Sequence, residues 1–119
     1  MQYLLASDIC ITPYLEERQT SSGVLSLALA AGKAVVASCT GPGPEVIEDG
    51  VTGLLANPHD PNSIAEKVIT LLKDADLRRK MGSAARKVAV ERYSLDKLVE
   101  RNLQYYRRLI EAQEPQHAL

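Results

Sequence analysis

Residues 16–33, EERQTSSGVLSLALAAGK, combine a polar loop with the apolar helix that directly follows it, and this stretch decides the predicted fold. Residues 20–22 offer side-chain oxygens that can cap a helix, and Gly23 has no Cβ, so a ligand can approach the backbone there. Residues 24–31 are apolar at all positions but one, which predicts a helix covered on most sides. The start of such a helix presents free N–H groups and the positive end of the helix dipole, which together can bind a phosphate or another anion.

Two short apolar runs flank this helix. Residues 9–12, ICIT, lack polar alternation and predict a strand that is buried on both faces of a parallel sheet, and residues 34–38, AVVAS, predict a second strand. The strand, the loop, the helix and the second strand form a βαβ unit. Because ligands of parallel sheets bind beyond the carboxyl ends of the strands, the loop before Gly23 lies where a ligand is expected.

The remaining sequence predicts a third strand and several helices. Residues 41–44, GPGP, form a second loop at the same edge of the sheet and lead into a short helix that begins at Pro44. Residues 52–56 predict the third strand, and three further helices follow. Their predicted caps are Asp60, Asp74 and Ser94. We therefore predict a Rossmann-like three-layer α/β fold, with a partial parallel sheet of about three strands followed by three C-terminal helices.

The chain is expected to form a single partial domain over residues 1–119. Residues 1–58 are predicted to be a β-α-β-β segment that carries the ligand-site loops, residues 59–113 a helical segment and residues 114–119 a flexible tail. Because residues 3–6 resemble the last turn of a helix, we expect the chain to begin partway through a larger fold. So small a sheet leaves an edge or an apolar face uncovered, which favours self-association.

Composition narrows the classes of function. With 45% hydrophobic and 24% charged residues, the 119-residue chain matches an ordinary globular protein. A formal charge of −1 gives no general attraction to nucleic acid. No apolar run approaches the roughly 20 residues of a membrane span, and no signal peptide is visible, so a cytoplasmic location is expected. Cys10 and Cys39 are expected to be reduced packing residues, and neither they nor His59 are expected to form a metal or catalytic site.

Several motifs occur in a characteristic order. They are residues 6–13 (ASDICITP), 30–38 (AAGKAVVAS), 44–55 (PEVIEDGVTGLL) and 60–61 (DP). Their order and spacing resemble the C-terminal half of the group 1 retaining glycosyltransferases of the GT-B type. The likeness extends from about residue 6 to residue 112.

This resemblance implies a donor-binding segment for a nucleotide-diphosphate sugar, without a metal or another cofactor. Its implied partner is an N-terminal domain that binds the acceptor across a cleft. Gln19 is implied to contact hydroxyl groups of the sugar. Contacts with the sugar or the diphosphate are implied for Thr20, Ser21, Ser22 and Gly23. From spacing alone, a helix that is simply well capped would explain the same residues.

Acidic residues are the remaining site candidates. The family usually carries two glutamates eight positions apart, and counting back from Gly32 places these positions at Gln19 and Leu27. Glu17 or Glu16 is therefore a candidate for a carboxylate at the donor site. Glu45 is a further candidate, although an acid in the first turn of a helix is an ordinary partner of the helix dipole, and we favour that structural role.

The resulting hypothesis is that the full-length protein transfers a sugar from a nucleotide-diphosphate sugar to an unknown acceptor with retention, and that the 119-residue chain alone is inactive. The alternative is a detached, non-catalytic α/β module that binds nucleotide weakly or not at all and forms a homodimer through its uncovered sheet or helices. A flavodoxin-like regulatory domain is a weaker third hypothesis, because no aspartate cluster follows the strands.

Overall fold

The computed structural model describes residues 1–18 and 21–113, which form six helices and three strands. In chain order the elements are α1 (Gln2–Ala6), β1 (Ile9–Thr12), α2 (Gly23–Ala30), β2 (Ala34–Ser38), α3 (Gly43–Val46), β3 (Leu54–Ala56), α4 (Pro61–Lys73), α5 (Ala75–Tyr93) and α6 (Leu95–Gln113). The strands form one parallel sheet in the order β1-β2-β3. The predicted α/β class with a small parallel sheet is thus confirmed.

Most predicted element boundaries lie within two residues of the observed ones. β1 and β2 coincide with their predictions, and α4 begins directly after its predicted cap, Asp60, whereas α3 begins at Gly43, one residue before the predicted Pro44. β3 is shorter than predicted because Thr52 belongs to the preceding turn, where its side-chain oxygen accepts a hydrogen bond from the Glu48 N–H at 2.9 Å. The predicted tail, residues 114–119, lies outside the described residues.

The central strand β2 is buried along its entire length. On one face Val35 and Ala37 pack in a cluster to which α2 contributes Leu25 and Leu29. On the other face Ala34 and Val36 pack in a second cluster, which includes Leu71 from α4 and Met81 from α5. This two-sided burial accounts for the continuous apolar run in the sequence of β2.

Two glycines allow α5 to pass close to the amino end of β2. A Cβ atom on Gly82 would lie only 2.1 Å from the carbonyl oxygen of Gly32. Gly32 itself has a φ of 68°, in the left-handed region that favours glycine. The contact packs α5 against the amino end of β2, and α5 continues through Gly82 without a break.

Side-chain burial in α2 and β1 differs from the sequence prediction. We expected α2 to be covered on most sides, but Val24 and Leu27 are about half exposed because α2 buries only the face that meets the sheet. Ile11 is also exposed, although β1 was predicted to be buried on both faces. β1 lies at the edge of the sheet, and the second apolar cluster is centred on β2 and β3.

The two cysteines occupy different environments. Cys10 is buried in the cluster beneath α2, and this burial raises the pKa of its thiol, which favours the protonated form at neutral pH. Cys39 is exposed one residue beyond β2, so the prediction that both cysteines pack in the core is wrong for Cys39. Both are free thiols, as predicted.

The helix α6 extends away from the sheet and has no buried residue. The chain is accordingly elongated, with principal extents of 71 × 27 × 24 Å. Large exposed apolar side chains on α6 are Leu95, Leu98, Val99, Leu103, Tyr105, Tyr106, Leu109 and Ile110. Within the described part of the chain, no helix combines the length and the apolar character needed to cross a membrane.

The Gly82→Ala variant tests the close contact between Gly82 of α5 and the Gly32 turn. We expect the free energy of unfolding to fall by about 1–3 kcal/mol because the new methyl group collides with backbone, which outweighs the higher helix propensity of alanine. Urea unfolding followed by circular dichroism measures this change.

Ser83→Ala is the matched control, since Ser83 is the next residue of α5 and is exposed. Its unfolding free energy should stay within about 0.5 kcal/mol of the wild type. A Gly82→Ala variant as stable as the Ser83→Ala variant would contradict the close packing of α5 against the Gly32 turn.

Candidate functional site

Ser22 caps the start of α2. Its backbone is extended (φ −137°, ψ 112°), and its Oγ accepts a hydrogen bond from the Leu25 N–H at 3.1 Å. The Ser22 carbonyl accepts the first helical hydrogen bond, from the Ser26 N–H at 3.0 Å. Among the residues predicted to cap the helix, Ser22 is therefore the cap, and it is buried.

The next two residues leave backbone donors free. The N–H groups of Gly23 and Val24 precede the first helical hydrogen bonds, and among the described residues no group accepts from them. Gly23 is exposed, and a Cβ atom there would meet nothing within 4 Å. The start of α2 therefore combines free donors, the positive end of a helix dipole and open space.

The loop between β1 and α2 is attached to the carboxyl edge of the sheet. The Tyr14 N–H donates to the Thr12 carbonyl at 3.0 Å. The hydroxyl of Ser38, at the end of β2, lies within hydrogen-bond distance of two carbonyls of this segment, that of Tyr14 at 2.8 Å and that of Thr12 at 3.2 Å. These bonds hold the beginning of the loop against β2, so α2 starts at the edge where parallel sheets bind ligands.

Tyr14 also reaches the far end of the loop. Its hydroxyl oxygen lies 3.0 Å from Ser22 Oγ, so the loop that begins at β1 is bonded directly to the cap of α2. The sequence analysis did not identify this pair, because the contact joins residues eight positions apart through a loop without regular periodicity.

Two further hydroxyl groups at this edge were also missed. Thr12 Oγ1 and Thr40 Oγ1 are buried and have no hydrogen-bond partner in the described structure. Thr12 ends β1, and Thr40 lies two residues beyond β2. Their position at the carboxyl ends of neighbouring strands is the signal that could have singled them out in the sequence.

The other predicted site residues are distributed as follows. Gln19 and Thr20 lie outside the described residues. Ser21 is exposed directly before the cap, and Glu17 is exposed in the loop. Glu16 accepts a hydrogen bond from the Arg18 N–H at 3.0 Å. Of the predicted residues, the structure therefore brings Ser21, Ser22 and Gly23 together at the start of α2.

Glu45 belongs to a different region of the surface. It lies in the first turn of α3 and lines a groove with Val88 and Arg92 of α5, in which residues 21–23 take no part. Glu45 thus lies beside the amino end of a short helix, and its favoured structural role stays a prediction.

An apolar cleft of about 440 Å³ adjoins the exposed side of α2. Leu27 lines it from α2, and Val90 and Tyr93 line it from α5. Leu27 follows Gly23 by four residues and therefore lies on the same face of the helix. A ligand that extends from Gly23 along this face would meet apolar side chains rather than a carboxylate.

A family model and a relative of known name both match this chain. Residues 1–74 match the family model described as "Glycosyl transferases group 1". The N-acetyl-alpha-D-glucosaminyl L-malate synthase of Bacillus anthracis is 36% identical over 98 residues, which cover 82% of this chain and 25% of that protein. The chain thus spans about a quarter of the length of this relative.

Solved structures share the same fold. Sucrose-phosphate synthase from Thermosynechococcus elongatus superposes with a TM-score of 0.83 at 27% identity, over 92% of this chain and 27% of that one. The HepE protein of Anabaena, crystallised in complex with UDP, gives a TM-score of 0.80 at 26% identity over 92% and 29% of the two chains. A further crystal structure of HepE is a complex with UDP-glucose. The family match and these structures, together with the parallel sheet and the open start of α2, show that the chain belongs to the group 1 glycosyltransferases.

Proposed function

We propose that this chain is the donor-side part of an enzyme that transfers a sugar from a nucleotide-diphosphate sugar to an acceptor, with retention at the anomeric carbon. The observation that carries the proposal is the open start of α2, where the N–H groups of Gly23 and Val24 have no acceptor among residues 1–18 and 21–113. The complexes of HepE with UDP and with UDP-glucose support a donor of the same chemical class.

The free N–H groups have a defined task in this reaction. As the bond between the sugar and the diphosphate breaks, negative charge grows on the departing phosphate oxygens. Backbone donors and a helix dipole that already point at this position stabilise the charge without reorganising, and removing one such donor from an enzyme typically costs about 10²–10³ in rate. The start of α2 thus favours the transition state over the bound donor.

The loop before α2 is proposed to recognise the sugar. Gln19 is proposed to donate to and accept from sugar hydroxyls, and Thr20 and Ser21 to contribute to the same pocket through their backbone. Glu17, exposed in the described part of this loop, is the candidate carboxylate. In this proposal residues 1–58 carry the donor-site loops, and residues 59–113 support them.

The complete reaction is proposed for a longer protein, since the chain spans about a quarter of the length of the Bacillus relative. That protein would contain the N-terminal, acceptor-binding domain, and the 119-residue chain alone would bind donor without transferring sugar. Retention would be read from the anomeric configuration of the product formed by the complete protein. A cytoplasmic location stays a prediction.

A second proposal concerns self-association of the chain as it stands. The apolar face of α6 is exposed along a helix of 19 residues, and α6 carries acidic and basic side chains that permit antiparallel pairing with a second copy. Burying one large apolar side chain contributes about 1.5–3 kcal/mol, whereas association costs about 4–15 kcal/mol, so most of the apolar face of both copies would have to be buried to hold a dimer at micromolar concentration. The proposed partner of this face in the isolated chain is therefore a second α6.

The Gly23→Ala variant should weaken UDP binding without lowering the stability of the chain. The added methyl group meets no protein atom within 4 Å and enters the space proposed for the donor. We expect the dissociation constant for UDP to rise about tenfold, equivalent to about 1.4 kcal/mol, while the variant unfolds at the same or a higher urea concentration. Titration with UDP, followed by NMR, measures the dissociation constant. In the wild type the amide signals of Gly23 and Val24 are followed, and in the variant the amide signals of other residues that shift with UDP are followed.

Ala65→Leu is the control, because it enlarges a side chain at an exposed position of α4, outside the proposed site. Its UDP affinity should equal that of the wild type. The proposal of a donor site at α2 fails if neither UDP nor GDP shifts these amides at millimolar concentration, or if Gly23→Ala binds UDP as tightly as the control does.

Leu103→Lys tests self-association through α6. A buried ammonium group at the centre of a paired apolar face would be strongly unfavourable, so the variant should sediment as a monomer where the wild type sediments as a dimer. Gln104→Lys, which adds the same charge at the neighbouring exposed position, is the control and should retain the dimer. A wild-type chain that is monomeric at 100 µM, or a Leu103→Lys variant that remains dimeric, would rule out this interface.

A further inference from the structure

The apolar cleft between α2 and α5 exposes side chains that a folded chain normally buries. Leu27, Val90 and Tyr93 line it and are each about half exposed. Val46 and Ala89, which pack against the core cluster beneath α2, also line it. Because apolar surface is driven out of water, a ligand with a matching apolar body would gain free energy by filling the cleft.

The size of the cleft favours a small molecule over a docked helix. Its volume is about 440 Å³, within the range of about 300–1,000 Å³ that is usual for small-ligand sites. One turn of an α-helix with its side chains is a cylinder about 10–12 Å across and 5.4 Å long, or about 420–610 Å³. The cleft therefore has room for at most one helical turn, which is too little to dock a helix.

A single cation faces this apolar surface. Arg86 is the one charged residue that lines the cleft within the described part of the chain. Its guanidinium donates a hydrogen bond to the Ala30 carbonyl at the end of α2, and it forms no ion pair with a carboxylate of residues 1–18 or 21–113. The remaining guanidinium donors can thus pair with an anion.

The surroundings offset the charge of Arg86 only in part. The carboxyl end of α2 carries the equivalent of about −0.5 of an elementary charge. Glu91 lines a neighbouring groove with Arg86, but its carboxylate pairs with Lys87 Nζ at 4.0 Å. The positive charge that is left suits a monoanion such as a carboxylate, whereas a phosphate monoester, with a charge of about −1.5 to −2, would stay largely uncompensated.

We propose that the cleft between α2 and α5 binds a small amphipathic carboxylate of the fatty-acid class. Its apolar body would lie against Leu27, Val90 and Tyr93, and its carboxylate would pair with Arg86. The inference goes beyond the proposed sugar transfer, since residues 21–23 at the start of α2 do not line the cleft.

Two fluorescent probes separate the apolar contribution from the charge. Anilinonaphthalenesulfonate (ANS) and N-phenylnaphthylamine share one aromatic body, and only ANS carries an anionic group. In Arg86→Gln, which keeps an amide donor for the Ala30 carbonyl, we expect the dissociation constant of ANS to rise about threefold to fivefold and that of N-phenylnaphthylamine to change by less than about 1.5-fold. Fluorescence titration with the 119-residue chain measures both constants.

The matched control is Arg107→Gln. Arg107 lines a groove along the exposed apolar face of α6, so this variant should bind ANS as the wild type does unless ANS binds at α6 instead. Arg86→Lys keeps the charge and should retain most of the ANS affinity. Decanoate should displace ANS from the wild type, whereas acetate at the same concentration, which lacks the apolar body, should not.

NMR of the unmodified chain covers the case in which Arg86→Gln folds poorly. The amide signals of Leu27, Ala89 and Val90 should shift on titration with decanoate, and those of Val99 and Leu103 on α6 should shift much less. Cleft signals that do not respond to millimolar decanoate would overturn the inference.

Two further results would also contradict it. An equal loss of affinity for both probes in Arg86→Gln would show that Arg86 only supports the shape of the cleft. Cleft signals that change with protein concentration but not with decanoate would show that a second copy of the chain fills the cleft. The titration with UDP tests the donor site separately, so either proposal can fail without the other.

Discussion

Burial of β2 on both faces is the constraint on which the structure depends. Five consecutive residues without exposed side chains require an apolar layer above and below the sheet. α2 supplies one layer, while α4 and the first half of α5 supply the other. α5 reaches both layers by passing the amino end of β2, where Gly82 meets Gly32. This packing covers the amino end of β2, whereas hydroxyl groups collect at the carboxyl edge of the sheet.

The polar groups at the carboxyl edge follow from the same topology. In a parallel sheet each strand ends at this edge and each following helix begins there, so strand-end carbonyls and helix-start N–H groups collect in one place. The side-chain hydroxyls of Ser38, Tyr14 and Ser22 link these groups into one network. The open space at Gly23 lies at the end of this network, which fixes the helix start without filling it.

The sequence predicted the features that depend on local chemistry. β2 and α4 were placed correctly because an apolar run and a capped, periodic helix are encoded within each segment. Burial was less predictable, since the exposure of Ile11, Leu27 and Cys39 depends on what lies opposite them in space. The Tyr14–Ser22 bond was missed for the same reason, as it requires a loop conformation that no periodicity encodes.

The chemistry of the described site also limits how tightly the site can bind an anion. Its donors are neutral backbone groups, and the described loop adjacent to α2 carries Glu16 and Glu17 against Arg18, so this segment has no net positive charge to attract an anion. A helix dipole contributes about 0.3–1 kcal/mol to an anion at its start, and a hydrogen bond to a charged group about 1.5–3 kcal/mol. Two such bonds, from the Gly23 and Val24 N–H groups, reduced by the entropy lost on binding, are consistent with an affinity near millimolar or weaker, where millimolar corresponds to about 4 kcal/mol. Tighter binding of the proposed donor would therefore require cationic side chains beyond those of the described loop, and in the proposed site the start of α2 would orient the phosphate rather than supply most of the binding energy.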